Sequence, residues 1–258
     1  MAMKETLTVA LALATVGIAL PSPLPGQVSL PDVDPVMDHI DDLYRSKSSH
    51  ALMRMTVVRE RGIRELELEA WTKGEEEALI VIRSPAREAG TATLMTEEGL
   101  WNYAPRADRL IRIPSGLLSE SWMGSHFTND DLMRETSYLD DYTAELSRRE
   151  EEGATYLQAT LTPRPDAPVV YSKLVFLITP GDWVPVRAEY YDDEEVVRIM
   201  RFEKVETVAG KKIPMRMVLR PTDDPDEQTV VEYVELELNV PVDDDLFTRQ
   251  GLRREARG

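Results

Sequence analysis

The sequence predicts a mainly β protein built on one large, meandering antiparallel sheet. Three observations carry that prediction. Residues of period two recur from Arg64 to Leu238. The segments between them are short and rich in Gly, Pro and Asp. Only one stretch, near the start, has a helical period, and no second helical run follows it.

The helix comes first. In PDVDPVMDHIDDLYRSK, Asp34 reads as an N-cap and Pro35 as the first helical position. Val36, Ile40, Leu43 and Tyr44 then fall on one face, with Asp38, Asp41 and Asp42 elsewhere. The period next changes to two. In Arg64–Trp71, Glu65, Glu67 and Glu69 alternate with Leu66, Leu68 and Ala70, which describes a strand with one wet and one apolar face. Thr72–Glu75 turns the chain into a more fully apolar strand at Ala78–Arg83. After the loop Ser84–Gly90, strands at Thr91–Thr96 and Leu100–Tyr103 flank Glu97-Glu98-Gly99 as a hairpin, and Arg109–Ile113 follows.

Pro114–Asp131 breaks the pattern. It holds Trp122, Met123 and Phe127 among Gly and Ser, and Thr128 or Asn129 is placed to cap a short helix through Met133. A long irregular aromatic segment is retained when it packs or acts, so this one reads as a lid or plug. Strands resume at Tyr142–Arg148, Thr155–Pro163, Ser172–Thr179, Pro185–Tyr191, Val196–Val205, Ile213–Arg220 and Gln228–Leu238. Asp243–Phe247 makes a final turn or short helix.

Residues 1–26 stand apart. Lys4 precedes Leu7–Leu20, which is uncharged and almost wholly apolar, and Pro21–Gly26 breaks any helix. This is the pattern of a cleaved secretory signal peptide. The run falls short of the roughly 20 apolar residues that span a bilayer. The alternative is an uncleaved N-terminal anchor. Cleavage near Gly26 leaves a single domain over residues 27–258 and a periplasmic location. The chain has no cysteine, which excludes disulfides, thiolate metal sites, cysteine nucleophiles and a diacylglyceryl-cysteine anchor. An exported chain without disulfides must then be held by its core.

The formal net charge is −17, with Lys and Arg together at 30 against 47 Asp and Glu. Such a balance argues against nucleic acid, and against anionic membrane as a bulk partner. Its simplest reading is a well-solvated surface.

No catalytic constellation is evident, and no cofactor motif is present. A serine hydrolase of the nucleophile-elbow type would need G-x-S-x-G, which is absent. Paired carboxylates such as Asp140-Asp141 and Asp192-Asp193 lie in predicted turns, without the burial that tunes one of them for acid–base work. Of the three histidines, His39 is expected to be solvated and His50 has no obvious partner. His126 lies close to Ser125, Asp130 and Asp131, so a metal site or a hydrolytic pair there ranks as the remote reading.

The middle of the chain resembles a known group. Glu69–Gly74, Ile80–Pro85, Gly90–Leu94, Leu100–Pro105, Arg109–Pro114 and Ser121–Leu132 occur in an order and spacing similar to the outer-membrane lipoprotein-sorting proteins, the LolA/LolB-like superfamily. The resemblance runs from about Val33 to Phe247, and SWMGSHFTNDDL is its strongest block. His126 departs from it, standing where similar sequences tend to carry Asp. The resemblance implies an incomplete, half-open β-barrel with a few covering helices. It also implies a non-enzymatic periplasmic carrier that binds acyl chains of a lipid or lipoprotein in an apolar cavity for transfer toward the outer membrane. An inner-membrane transporter or permease is an implied partner, and a monomer is expected. On this reading Trp101, Tyr103, Trp122, Met123 and Phe127 are the candidates for the cavity or its lid, the alternative being ordinary core. The competing reading is a non-catalytic accessory protein of an export-type transporter, with a packed interior.

Overall fold

The computed structural model describes residues 29–133 and 138–258. The segment read as a signal peptide, residues 1–26, lies outside them. From Pro31 onward the chain forms one compact unit.

Thirteen strands make a single antiparallel sheet. The first six are β1 (Ser48–Arg59), β2 (Gly62–Lys73), β3 (Glu77–Ser84), β4 (Ala92–Thr96), β5 (Gly99–Ala104) and β6 (Arg109–Arg112). The rest are β7 (Tyr142–Glu151), β8 (Ala154–Pro163), β9 (Lys173–Ile178), β10 (Pro185–Asp192), β11 (Glu195–Val208), β12 (Lys211–Pro221) and β13 (Gln228–Leu238). The chain steps outward from β1 to β6, crosses to the opposite edge, enters β7 and returns strand by strand until β13 pairs with β1. β6 and β7 are therefore the free edges, and the sheet does not close into a barrel.

β1 was not expected from the sequence, yet it is central. Its inward residues Ala51, Met53, Met55 and Val57 are buried, while Leu52, Arg54, Thr56 and Val58 alternate with them. The outward Leu52 and Val58 blur the period-two signal. The predicted wet face of β2 is observed: Leu66, Leu68 and Ala70 are buried, and Glu69 on the other face binds His50 and Arg83.

Helix α1 (Val33–Asp41) starts earlier than Asp34 would place it. Asp32 is the N-cap, and Asp34 lies in the first turn, where a negative charge favours the helix dipole. Val36, Met37 and Ile40 are buried against β7–β11. Leu43 and Tyr44 lie beyond the helix, where Leu43 is buried and the Tyr44 hydroxyl donates to the Pro214 carbonyl at 2.7 Å. His39 is not the solvated residue expected. It is half buried, with its ring edge-on to Trp183, and burial lowers its pKa.

The crossing segment contains α2 (Asn129–Met133), and α3 (Tyr138–Asp141) leads into β7. The helix α4 (Arg249–Arg257) is a second correction, since no helical run was expected there. Its apolar stripe is only Leu252 and Ala256, too thin for a periodicity signal among four arginines. Thr248 caps it by accepting from the Gly251 N–H at 2.9 Å. α4 lies on the outer face of β3–β5, where Leu79, Val81, Leu94 and Tyr103 pack with Phe247 and Leu252. β3 is thus apolar on both faces because both are covered: Leu79 and Val81 face α4, while Ile80 and Ile82 face inward. Burial of Leu252 alone contributes on the order of 1.5–3 kcal/mol to holding α4 down.

Candidate functional site

The inner face of the sheet surrounds an apolar cavity of about 190 Å³. One wall is Ala51 and Met53 of β1, Leu68 and Ala70 of β2, and Ile80 of β3. The other is Leu174 and Phe176 of β9, Tyr190 of β10, Met200 and Phe202 of β11, and Met217 of β12. Strands from both halves of the chain share one void because the sheet curls. Ile40 of α1, Trp122, Phe127 and Leu132 of the crossing segment, and Tyr138 of α3 complete the lining.

Polar side chains at the wall are hydrogen-bonded to one another or to backbone. The Ser49 and Thr72 hydroxyls bond at 2.7 Å. Arg45 donates to the Gly74 and Glu77 carbonyls at 3.1 and 3.3 Å. Asp41 accepts from the Tyr138 N–H at 3.2 Å. Burial raises the pKa values of Tyr171 and Tyr190, so both phenols stay neutral. The result is a void that favours a hydrocarbon guest and offers little to a charged one.

The crossing segment is tied over this void by a local fold and three arginines. Ser121 and Thr128 form an isolated antiparallel bridge, and the Trp122 N–H donates to the Phe127 carbonyl at 2.8 Å. Thr128 and Asp131 cap each other at the start of α2: the Thr128 N–H donates to Asp131 Oδ2 at 2.7 Å, and the Asp131 N–H to Thr128 Oγ1 at 3.2 Å. Arg64 donates to the Met123 carbonyl, Arg59 to that of Ser125 and Arg198 to that of His126. Met123 has φ 49°, an unfavourable backbone state for a non-glycine residue that the surrounding contacts hold in place.

Arg198 is the most committed of these groups. It is 5% exposed, pairs with both carboxylate oxygens of Asp131, and lies over the rings of Tyr171 and Tyr190 at 4.4 and 4.1 Å. Burial is the largest single influence on its pKa and lowers it, but the Asp131 carboxylate, Tyr190 and Tyr171 together raise it by more. Fixed charge is thereby kept in a matched pair at the cavity rim.

The five residues singled out in the sequence separate into two groups. Trp122 and Phe127 line the cavity, and the Trp122 ring N–H donates to Thr93 Oγ1 at 3.0 Å. Met123 packs against the same apolar cluster without lining the void. Trp101 and Tyr103 lie on the other side of the sheet, beneath α4. Tyr103 donates to Asp108 at 2.8 Å, and Arg249 stacks on Trp101 at 4.1 Å. The cavity residues missed in the sequence, such as Met53, Phe176 and Met200, are inward positions of ordinary strands. Alternation marks such positions but does not say which inward face is left unfilled.

His126 is nearly buried, with Nδ1 2.8 Å from Thr229 Oγ1 and Nε2 2.9 Å from Glu227 Oε2. Ser125 Oγ instead donates to the Trp122 carbonyl at 2.7 Å, so the two neighbours do not form a nucleophile–base pair. Asp131 is taken by Arg198. Among the described residues, no group of three His, Asp or Glu side chains is placed to hold a metal ion.

A family model described as an uncharacterized protein family matches residues 74–254, from the β2–β3 turn into α4. The chain belongs to this family. Solved structures share the fold of this chain. A DUF1329 family protein from Desulfovibrio piger is 22% identical, with TM-score 0.77, covering 84% of this chain and 96% of that one. A LolA superfamily protein from Nitrosomonas europaea is 21% identical, with TM-score 0.71, covering 84% and 97%. An outer membrane lipoprotein-sorting protein domain from Vibrio parahaemolyticus is 18% identical, with TM-score 0.74 over the same shares. At these identities the likeness is one of fold, and the expected open LolA-like sheet is what this family member has. No curated protein sequence matches the chain.

Proposed function

We propose that this family member is a non-catalytic periplasmic carrier that takes acyl chains of a lipid or lipoprotein into the cavity under the crossing segment. The observation that carries the reading is the apolar void itself, left open between the curled sheet and its cover. A packed interior, as the accessory-protein reading requires, has no such space.

The size of the void sharpens the reading. An apolar cavity of roughly 150 Å³ admits a benzene-sized guest. At about 190 Å³ this one has room for a short run of methylenes only. Each buried methylene contributes about 0.8 kcal/mol, so half a dozen give about 5 kcal/mol. A longer chain requires the crossing segment to lift. Trp122 and Phe127 are then the residues a guest displaces, and the arginine contacts to residues 123–126 define what must loosen. Transfer toward the outer membrane and a permease donor belong to the same proposal, by analogy of fold.

The test is chemical. Protein purified from a bacterial periplasm is extracted with organic solvent, and the extract is analysed by mass spectrometry beside a titration with a fluorescent fatty acid. The proposal expects bound lipid or saturable one-site uptake. Neither lipid in the extract nor saturable uptake would leave the accessory role as the better account.

A further inference from the structure

Away from the cavity, positive charge collects at the free β6 edge of a chain whose formal net charge is −17. Arg106, Arg109 and Arg112 come from the turn before β6 and from β6 itself. Arg249, Arg253, Arg254 and Arg257 come from α4. Contacts join the two sets into one surface. Arg112 and Arg249 lie over the same Trp101 ring, at 6.0 and 4.1 Å. Arg253 and Arg257 flank Asp108 at 3.7 and 3.6 Å. Glu98, Asp243, Asp244 and Asp245 offset Arg249 at the start of α4. The positive excess therefore lies at its C-terminal end, where Arg253, Arg254 and Arg257 stand with Arg106 and Arg109 around only Asp108 and Glu255.

The edge also exposes apolar side chains. Ile111 of β6 is 53% exposed and Leu117, in the turn that follows, is 45% exposed. Leu110 and Arg112 pair with Tyr103 and Trp101 on the α4 side of the sheet. Alternation therefore puts Arg109 and Ile111 on the other side, and the cations bracket the strand.

We propose that this edge docks on an anionic lipid bilayer, with the arginines on lipid phosphates and Ile111 and Leu117 at the headgroup–acyl boundary. Guanidinium groups pair with phosphate oxygens through two hydrogen bonds, and aliphatic side chains among cations suit an interface with both phosphate and hydrocarbon. The overall negative charge does not oppose this. Charges beyond about 8 Å are largely screened at physiological salt, and the acidic remainder turns the molecule so that only this edge faces the membrane. The inference does not depend on what the cavity holds.

The test is co-sedimentation of the full chain with phosphatidylglycerol-containing vesicles and with phosphatidylcholine vesicles. The apolar N-terminal segment is common to every chain compared, so differences report the edge. The parent is expected to bind the anionic vesicles, to bind the zwitterionic ones weakly, and to lose the difference in molar salt. An arginine near an anionic surface contributes roughly a factor of five in partitioning. The variant Arg109→Gln/Arg254→Gln/Arg257→Gln should thus bind about a hundredfold more weakly. Ile111→Ser/Leu117→Ser should weaken binding while leaving its salt dependence in place. Equal partitioning of the parent and the triple variant overturns the proposal. So does a parent that ignores anionic vesicles, an outcome that would assign the edge to an acidic protein instead.

Discussion

At the scale of single residues, the Arg198–Asp131 pair is where charge and apolar space meet. Removing one partner of a buried pair leaves the other charge without compensation, at a cost of about 3–5 kcal/mol. Arg198→Ala is therefore expected to lower the urea unfolding free energy by about that amount. Arg198→Met combined with Asp131→Leu should recover much of it, because two apolar side chains leave no orphan. A single variant within experimental error of the parent would show that the pair does not hold the segment. Acid should act on different residues. Hydrogen bonds from Arg64 hold the Glu88 carboxyl below its ordinary pKa, against the effect of burial. The His126 ring and the Glu60 N–H do the same for Glu227. Carboxyls with lowered pKa values stabilise the fold above their ordinary value of 4.5, and that stabilisation is lost as pH falls toward and through the folded values. Melting temperature measured from neutral pH downward should fall most steeply below about pH 4.5, and Glu88→Gln should flatten the decline. Aromatic identity was only partly informative at this scale. Trp122 and Phe127 reach the void and Trp101 and Tyr103 do not, because alternation along β5 turns the latter pair toward α4. That helix was itself not legible in the sequence.

At the scale of elements, α4 depends on close approach. A Cβ at Gly251 would collide with the Asp245 carbonyl oxygen, and one at Gly90 with the Ala256 carbonyl oxygen. Gly90 also has φ +83°, which disfavours any L side chain. Gly251→Ala is expected to destabilise by about 1–3 kcal/mol and to speed proteolysis of the C-terminal segment. A variant as resistant as the parent would show that α4 contributes little. Most of β2–β13 were legible because their wet and dry sides differ, β3 and β9 because they are short continuous apolar runs, and all because their turns carry Gly, Pro and Asp. β1 was not, because its outward Leu52 and Val58 mask the alternation. The crossing segment was legible as irregular and aromatic, and Thr128 and Asp131 marked the start of α2. Its contacts to Arg59, Arg64 and Arg198 were not, since each joins residues more than fifty positions apart.

At the scale of the molecule, the path of the chain makes the cavity. Two runs of hairpins meet at β1 and β13, and the segment linking the outer edges must cross from one to the other. It does so over the inner face, which gives a curled sheet a cover made from its own chain. Alternating residues predict a two-faced sheet, but not its curl or the space left inside. The family resemblance supplied that expectation, and packing supplies its dimensions. The central claim is that this space takes an acyl chain. Ala51 and Ala70 face each other across β1 and β2 at its wall. Ala51→Leu combined with Ala70→Leu narrows it without adding polar groups. Titration of parent and variant with a fluorescent fatty acid tests the claim most directly. The account predicts saturable binding by the parent, at least tenfold weaker binding by the variant by the loss of about two buried methylenes, and no loss of melting temperature. Equal affinity in the two chains, or no binding by the parent, would contradict it.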